Sequence, residues 1–382
     1  MLELSSRERV LMALEHREPD RVPTALWGGP YGLVDELYLE LLDYFELGDP
    51  VDRFRQGHTI TYLDDRVLER LGVDTRYVWP GEMPSSPQQE TDDPDVFLDG
   101  FGQAWRRALP YYYTMEGILA EADSGAMDKL VQWPDPNDPR WTNGAAERAA
   151  HLRQHTDAFV IARQMTSHGP FQTACDLRGT ERFLMDLVED PDYARRLVDK
   201  VTEIIDGLNR AMLEACGENI DMIELPGDDY AGNENLIISP AMFREFFKPG
   251  LRRMVETIKS FREDLRVMFH SDGMIDPLLP ELIDIGVDVV HPLEPVEAMD
   301  LSEINEKFGD EIAFLGGVDI QGAMRGDRSQ VETEVKERIR QLGPGGGYVL
   351  APSNHLQADV PVENVITLFE AAQEYGRYPL SI

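Results

Sequence analysis

Residues 265–291 read LRVMFHSDGMIDPLLPELIDIGVDVVH and hold the pattern that decides the fold. Two short, largely apolar runs, Leu265–His270 and Val287–His291, flank the helical pattern PLLPELIDIG. Short buried strands joined by a helix pair in parallel, because the crossover helix returns the chain to the same edge of the sheet. The stretch therefore predicts a β–α–β unit.

The same rhythm continues on both sides of this stretch. Further strands are predicted at Asp221–Glu224, Ile312–Leu315, Tyr348–Leu350, Val22–Leu26, Thr75–Val78 and Ala158–Arg163. Eight such units fit a chain of 382 residues, because α/β barrels of about 250 residues commonly carry insertions. We expect the α/β class and a single (β/α)₈ TIM barrel domain over residues 1–382.

An N-terminal helix and an insertion are predicted as additions to the barrel, and one of the crossover helices between the barrel strands has a clear start. The N-terminal sequence SSRERVLMALEH is typical of an amphipathic helix capped by Ser5 or Ser6. A second helix begins after Ser239, with Pro240 at its first position. Residues 80–125 read as an insertion that forms antiparallel strands over the barrel mouth, meaning the end where the carboxyl ends of the strands lie.

The charge of the chain excludes some classes of partner. Lys+Arg is 36 and Asp+Glu is 71, which gives a formal net charge of −35. Such a field repels nucleic-acid phosphates and anionic lipid surfaces. Few of the cations are lysines, a bias that either adaptation to high salt or GC-rich codon usage would produce.

Cysteine content and hydropathy indicate the compartment. The chain has 2 cysteines, Cys175 and Cys216, which form no disulfide framework and no CxxC metal motif. No apolar stretch approaches the roughly 18 residues of a membrane span. We therefore expect a cytoplasmic protein.

Polar side chains follow five successive predicted strands. They are Glu224, Asp228 and Asp229; His270 and Asp272; His291 and Glu294; Asp319 and Gln321; and Asn354, His355 and Gln357. The carboxyl ends of barrel strands converge on one mouth, where such folds carry their chemistry. A single Asp or Asn after a strand more often caps the next helix, but the joint pattern favours a functional site.

The spacing His270-x-Asp272 places an imidazole and a carboxylate at one strand end. Zinc accepts both ligand types and leaves a position open for substrate. Three residues of the first half are further candidates for substrate binding. Trp27 offers an apolar wall, His168 a loop hydrogen bond, and Arg178 a guanidinium for a substrate carboxylate or for a neighbouring acid.

Several motifs together resemble the uroporphyrinogen decarboxylase superfamily. They are RERVLMALEHREPDRVP, GDDYAGNENLIISPAMFREFFKPGLRRM, FHSDGMIDPLLPELIDIGVDVVHPLEP, GGVDIQG and PVENV. The resemblance covers nearly the whole chain and implies a (β/α)₈ barrel. The superfamily includes decarboxylases of uroporphyrinogen and methyltransferases that depend on cobalamin or another corrinoid.

The sequence departs from both branches. The decarboxylases have an arginine-rich segment after the first strand, where this chain has RVPTALWGGPYG with Arg21 as its only cation. The methyltransferases hold zinc with a His-x-Cys pair and a later Cys, where this chain has His270-x-Asp272 and Asn354 followed by His355. Oxygen ligands favour harder metals than thiolates do.

The resemblance favours a methyltransferase that moves a methyl group between a small substrate and a corrinoid supplied by a partner protein. In this hypothesis His270, Asp272 and His355 hold zinc, and Glu224 is a fourth ligand or a base. Asp228 and Asp319 act in catalysis. The candidate substrate-binding residues are Trp27, His168, Arg178, Asp229, Gln321, His291, Asn354 and Gln357.

Two alternatives remain at this stage. One is decarboxylation of uroporphyrinogen or another acidic substrate, with Asp228 or Asp319 stabilising a protonated pyrrole-like intermediate. The other is a barrel that binds a tetrapyrrole or corrinoid without converting it.

Overall fold

The computed structural model describes residues 3–26, 32–50, 63–81, 92–108, 111–123, 125–163 and 165–381. Its main sheet has seven parallel strands in the spatial order β1-β5-β6-β7-β8-β9-β10. These strands are β1 (Thr75–Val78), β5 (Phe159–Ala162), β6 (Met222–Glu224), β7 (Arg266–His270), β8 (Val289–His291), β9 (Ala313–Val318) and β10 (Tyr348–Pro352). The curled parallel sheet with helices confirms the α/β barrel class expected from the sequence.

The segment predicted as a strand at 22–26 closes the barrel without forming a regular strand. Thr24 forms a parallel bridge with Leu350 of β10, and its carbonyl accepts a hydrogen bond from the N–H of Asp74, just before β1. Pro23 has no N–H to donate, so the pairing is limited to a single bridge on the β10 side.

Helices alternate with the strands along most of the chain. They are α1 (Ser6–Leu14), α2 (Asp35–Tyr44), α3 (Asp65–Leu71), α4 (Met127–Leu130), α5 (Ala145–His155), α6 (Pro170–Arg178), α7 (Thr180–Glu189), α8 (Pro191–Cys216), α9 (Pro240–Met242), α10 (Lys248–Phe261), α11 (Leu279–Asp284), α12 (Leu301–Phe308), α13 (Arg328–Leu342) and α14 (Val362–Tyr375). Ser5 and Glu8 form the capping box of α1, and the Ser239 side chain caps α9. No helix in the described ranges is both long enough and apolar enough to cross a bilayer.

The insertion forms the expected antiparallel strands. Strands β2 (Val96–Leu98), β3 (Ala104–Ala108) and β4 (Tyr111–Thr114) make a separate three-stranded sheet, referred to below as the insertion sheet. It contacts the loop after β5 and helix α6. The Trp105 ring lies 5.7 Å from the His168 ring, and Thr114 Oγ1 donates to Asp176 Oδ1 at 2.8 Å.

Side-chain alternation along the strands separates two apolar cores. Outward-facing residues such as Val160, Ile223 and Phe269 belong to the large core between sheet and helices. The inward-facing set fills the barrel interior: Val10, Leu14, Ala25, Tyr77, Phe159, Ile161, Met222, Met268, Val289, Ala313, Leu315, Val349 and Ala351. A filled interior leaves room for chemistry only above it, at the mouth.

A buried carboxylate at the opposite end of the barrel joins the closing segment to the sheet. Asp74 pairs with Arg9 at 2.6 Å and with Arg21 at 2.9 Å. It also accepts hydrogen bonds from the Ser6 hydroxyl and from the N–H of Thr24, both at 2.9 Å. One side chain thus links α1, the closing segment and β1.

We predict that Asp74→Ala lowers the free energy of unfolding by about 3–5 kcal/mol, because it leaves the buried guanidinium of Arg9 without this partner. Urea denaturation followed by circular dichroism measures the change. Asp264→Ala is the matched control, since the Asp264 side chain is 78% exposed in its pair with Arg262 and its loss leaves stability unchanged. Equal effects of the two substitutions would contradict the role of Asp74.

Candidate functional site

Four polar side chains form the layer of the barrel interior nearest the mouth. Ile161, Met222, Met268 and Val289 face the interior core. A strand alternates sides at each residue, so the residue two positions further along each strand faces inward as well. These residues are Arg163, Glu224, His270 and His291, and all four are buried.

The first two members of this layer neutralise each other. Arg163 Nη1 lies 2.6 Å from Glu224 Oε2, and both side chains are almost fully buried. A buried carboxylate requires such a partner. The ion pair engages Oε2 of Glu224, and the predicted role of Glu224 as a fourth metal ligand or a base stays a prediction.

The other two members share a hydrogen bond between imidazoles. His270 Nδ1 lies 2.8 Å from His291 Nδ1, so one ring donates and the other accepts. Burial lowers the pKa of His270 to about 4, although the charge of Asp229 opposes the shift. Burial and the neighbouring His270 and Arg163 lower the pKa of His291 well below its usual value. Both rings are therefore neutral at pH 7.

The second nitrogen of His270 faces two carboxylates. Nε2 lies 3.6 Å from Asp229 Oδ1 and 3.7 Å from Asp272 Oδ1. The three potential ligand atoms lie within 4.8 Å of one another. We refer to Asp229, His270 and Asp272 as the three-ligand cluster.

Two observations within the three-ligand cluster fit a cation. Asp272 Oδ1 is buried and has no hydrogen-bond partner in the described part of the chain. Burial raises the pKa of Asp272 well above its usual value, and the charges of Asp229 and Glu294 add to the shift. A bound cation would relieve this repulsion, because it compensates two carboxylates that otherwise share a site. Imidazole and carboxylate donors suit zinc and harder divalent metals.

The remaining contacts hold the carboxylates in place. Asp229 accepts hydrogen bonds from the N–H of Asp272 at 2.8 Å and from Gln172 Nε2 at 3.1 Å. Asn354 Nδ2 donates to Asp272 Oδ2 at 2.7 Å. Asn354, predicted to bind substrate, thus supports a candidate metal ligand.

His355 lies beside the three-ligand cluster and is not one of its members. Its N–H donates to Asn354 Oδ1, and a charge on its ring lowers the pKa of His291. The three-ligand cluster contains two members of the predicted set, His270 and Asp272, and a metal-binding role of His355 stays a prediction. Asp229, predicted to bind substrate, takes the third position, because the Asp272 N–H turns its carboxylate toward His270.

Asp228 has a capping role. Its carboxylate accepts hydrogen bonds from the N–H groups of Phe171 and Gln172 at the start of α6, and from the Tyr230 hydroxyl. The side chain is fully buried. Burial raises its pKa to about 7, although these hydrogen bonds oppose the shift. These contacts satisfy both carboxylate oxygens within the protein, and the predicted catalytic role of Asp228 stays a prediction.

Arg178 is buried in the protein interior. Its guanidinium pairs with Asp186 at 2.6 Å and donates to the carbonyls of Leu119 and Ala122. Of the two roles considered for Arg178, these contacts match the pair with a neighbouring acid. The predicted substrate-binding role of Arg178 stays a prediction.

Asp319 likewise caps a turn. Its carboxylate accepts hydrogen bonds from the N–H groups of Gln321, Gly322 and Ala323. The predicted catalytic role of Asp319 stays a prediction. Gln357 donates to the carbonyl of His355, and the predicted residue Trp27 lies outside the described residues.

A cavity of about 660 Å³ opens beside the three-ligand cluster. Its lining includes Glu234, Glu294, Glu297, Asp319 and Gln321, with four carboxylates and no lysine or arginine. Glu294 joins the cavity to the cluster, since its carboxylate accepts a hydrogen bond from the N–H of Gly273. The cavity is large enough for a small molecule.

Two residues of this region, Arg163 and Asp176, were not predicted from the sequence. Arg163 ends a predicted strand, and counting alternate residues along that strand identifies it as inward-facing. Asp176, the partner of His168 at 2.6 Å, lies inside a helix, and nothing in the local sequence distinguishes it from a surface residue.

Comparisons with known proteins agree with this architecture. The model of the family described as uroporphyrinogen decarboxylase (URO-D) matches residues 129–375. Uroporphyrinogen decarboxylase 2 of Arabidopsis thaliana is 31% identical over 137 residues, which are 36% of this chain and 33% of the plant protein. The match thus spans about a third of that relative.

A longer match and a solved structure come from methanogens. A methylcobamide:CoM methyltransferase of Methanosarcina barkeri is 24% identical over 284 residues, 70% of this chain and 79% of the relative. A methyltransferase from Methanosarcina mazei has the same fold, with a TM-score of 0.63 at 20% identity over 98% of this chain and 99% of the other. Because the family model covers more than half of its length, the chain belongs to the uroporphyrinogen decarboxylase family.

Proposed function

We propose that the protein transfers a methyl group between a small substrate and a corrinoid carried by a partner protein, with help from a divalent metal. The observation that carries the proposal is the three-ligand cluster beside a cavity of about 660 Å³. The methylcobamide:CoM methyltransferase that matches 70% of the chain supports this chemistry.

Asp229, His270 and Asp272 are the residues that would hold the metal. When bound, the metal polarises the heteroatom that carries or receives the methyl group. Zinc fits this donor set, while the absence of thiolates among the three donors also admits a harder ion.

The residues around the three-ligand cluster prepare it for a cation. In the tautomer in which His270 Nδ1–H donates to His291 Nδ1, the lone pair of His270 Nε2 is available to a cation beside the two carboxylates. Asn354 orients Asp272, and Gln172 orients Asp229. Each ligand thus has a neighbour that fixes its direction, as metal sites require.

In this proposal the corrinoid docks over the mouth on a separate protein, as in the family that the sequence resembles. The predicted acidic surface then meets a partner of complementary charge.

The distribution of cations disfavours uroporphyrinogen as substrate. An octacarboxylate needs several guanidinium groups. Arg21 lies at the far end of the barrel, where it pairs with Asp74, and Arg163 is paired with Glu224. The cavity itself is lined by four carboxylates.

The first prediction from the proposed function concerns metal binding. Purified protein is expected to bind about one zinc or other transition-metal ion per chain, and both His270→Ala and Asp272→Asn are expected to abolish this binding, because each removes a donor. Elemental analysis after dialysis measures the stoichiometry. His355→Asn is the matched control and retains the metal; loss of metal in this variant alone would restore His355 to the ligand set.

The second prediction concerns the imidazole pair. His291→Leu removes the acceptor that orients His270 and is expected to weaken zinc binding by about 10- to 100-fold. His291→Asn retains a hydrogen-bond acceptor near the same place and recovers part of the loss. Competition with a chromogenic chelator gives the affinities. An unchanged affinity in His291→Leu would show that the pair has only a packing role.

The third prediction tests the function directly. The metal-loaded protein is expected to catalyse methyl transfer from a methylated small molecule to free cob(I)alamin, which the absorbance of the methylcobalamin formed reports. It is expected to leave uroporphyrinogen unchanged in a decarboxylation assay. Clean formation of the four-carboxylate product would overturn the proposal in favour of decarboxylation, whereas tight cobalamin binding without exchange would favour the non-catalytic alternative.

A further inference from the structure

We propose that His168, held by Asp176, donates a proton to the heteroatom that leaves the methyl group, and that the substrates are therefore methyl ethers or methylated amines. This inference rests on the proposed function and adds the substrate class and the proton donor. It uses two residues outside the three-ligand cluster.

The geometry is that of an oriented imidazole. His168 Nδ1 lies 2.6 Å from Asp176 Oδ2, and Asp176 Oδ1 accepts the Thr114 hydroxyl of the insertion sheet at 2.8 Å. Both carboxylate oxygens are thus engaged, so the ring orientation is fixed. Nε2 has no hydrogen-bond partner within the described ranges, and the side chain is 31% exposed. The ring therefore has one occupied nitrogen and one nitrogen open to a ligand.

The loop that carries His168 is packed against the segment that carries Asp229. The hydroxyls of Thr166 and Thr173 donate to the His168 carbonyl. The N–H of Gly169 donates to the carbonyl of Gly227, and a Cβ added at Gly169 would lie 2.6 Å from the Asp228 carboxylate. This contact requires glycine and keeps the imidazole at the same edge of the mouth as the three-ligand cluster.

The charged groups around the ring favour a protonated imidazole. Loss of solvent would lower the pKa of His168, but Asp176, with smaller contributions from Asp229 and Asp228, raises it to about 9. The charge on His168 in turn lowers the pKa of His270. At pH 7 His168 is thus an imidazolium that can release a proton to a stronger base.

The three-ligand cluster explains why such a donor is needed. Two carboxylates compensate most of the charge of a divalent ion, so the ion stabilises a leaving alkoxide, phenoxide or amide poorly by itself. A thiolate is a weak base and leaves without protonation. An ether oxygen or amine nitrogen instead gains from general acid catalysis, which contributes about 10²- to 10⁴-fold in rate.

The proposed step conserves atoms, electrons and charge. The bond between the methyl carbon and its heteroatom breaks, and the electron pair stays on the heteroatom, which takes the proton from His168 Nε2. The methyl carbon passes to the nucleophile of the acceptor, a reduced corrinoid that supplies its own electron pair. His168 is left neutral and regains its proton from water.

The first part of the test needs no substrate. Histidine labelled with ¹³C at Cε1 is titrated by NMR in the full-length protein, and His168→Gln identifies the signal. We expect a titration near pH 9 that Asp176→Asn moves down by more than one pH unit. His155→Gln, at an exposed position, is the matched control and leaves the titration of His168 unchanged. A His168 that titrates near pH 6.5 in the unaltered protein would overturn the proposal.

The second part compares two leaving groups. The metal-loaded protein is given methoxybenzene or 4-nitromethoxybenzene with cob(I)alamin as acceptor. His168→Gln is expected to slow methoxybenzene cleavage by about 10²- to 10⁴-fold. It is expected to slow the nitro compound less than tenfold, because nitrophenolate leaves without a proton.

The outcomes separate this inference from the proposed function. Equal losses with the two ethers would assign His168 a structural role and leave methyl transfer intact. If the unaltered protein cleaves neither ether but transfers a methyl group from another compound to cob(I)alamin, the assignment to ether substrates fails while the proposed function stands. The NMR titration then still reports on the oriented imidazole, independently of activity.

Discussion

The alternation of inward and outward side chains along the parallel strands is the constraint on which the site depends. It places apolar residues such as Met222, Met268 and Val289 in the barrel interior. Two positions further along the same strands it places Glu224, His270 and His291 in the layer next to the mouth. The apolar residues of the barrel interior exclude water from this layer. Its polar side chains must therefore form their hydrogen bonds and ion pairs with one another.

The protein meets this requirement in two ways. Arg163 and Glu224 form a buried ion pair, while His270 and His291 stay neutral and share one hydrogen bond. Negative charge is displaced outward, to Asp229 and Asp272 and to the carboxylates of the cavity. The resulting gradient runs from a neutral layer in the interior to an acidic mouth, which suits a bound cation and disfavours a polyanionic substrate.

The insertion sheet is part of this arrangement. Thr114 holds one oxygen of Asp176, and Trp105 packs beside the His168 ring. A segment outside the barrel pattern thus orients a cationic group next to the acidic cluster. In the proposed function the barrel carries both the metal ligands and the proton donor, and the insertion sheet orients the donor, which is how one scaffold supports different chemistries through its loops.

The sequence by itself determined the architecture. Strand runs such as Leu265–His270 and the cap at Ser239 depend on local propensity and periodicity, so they were predicted within one or two residues. Pro23 is a local feature as well, yet its effect on the closing segment depends on which strand lies beside it.

The tertiary structure decided the roles of the acidic residues. Asp228, Asp319 and Asp272 all follow strands, and their sequence contexts look alike. Asp228 meets the free N–H groups of α6 and Asp319 meets those of a turn, so both become caps. Asp272 meets His270 and Asp229 instead. Which donor a carboxylate faces depends on residues distant in the chain, and that proximity is created only when the barrel closes.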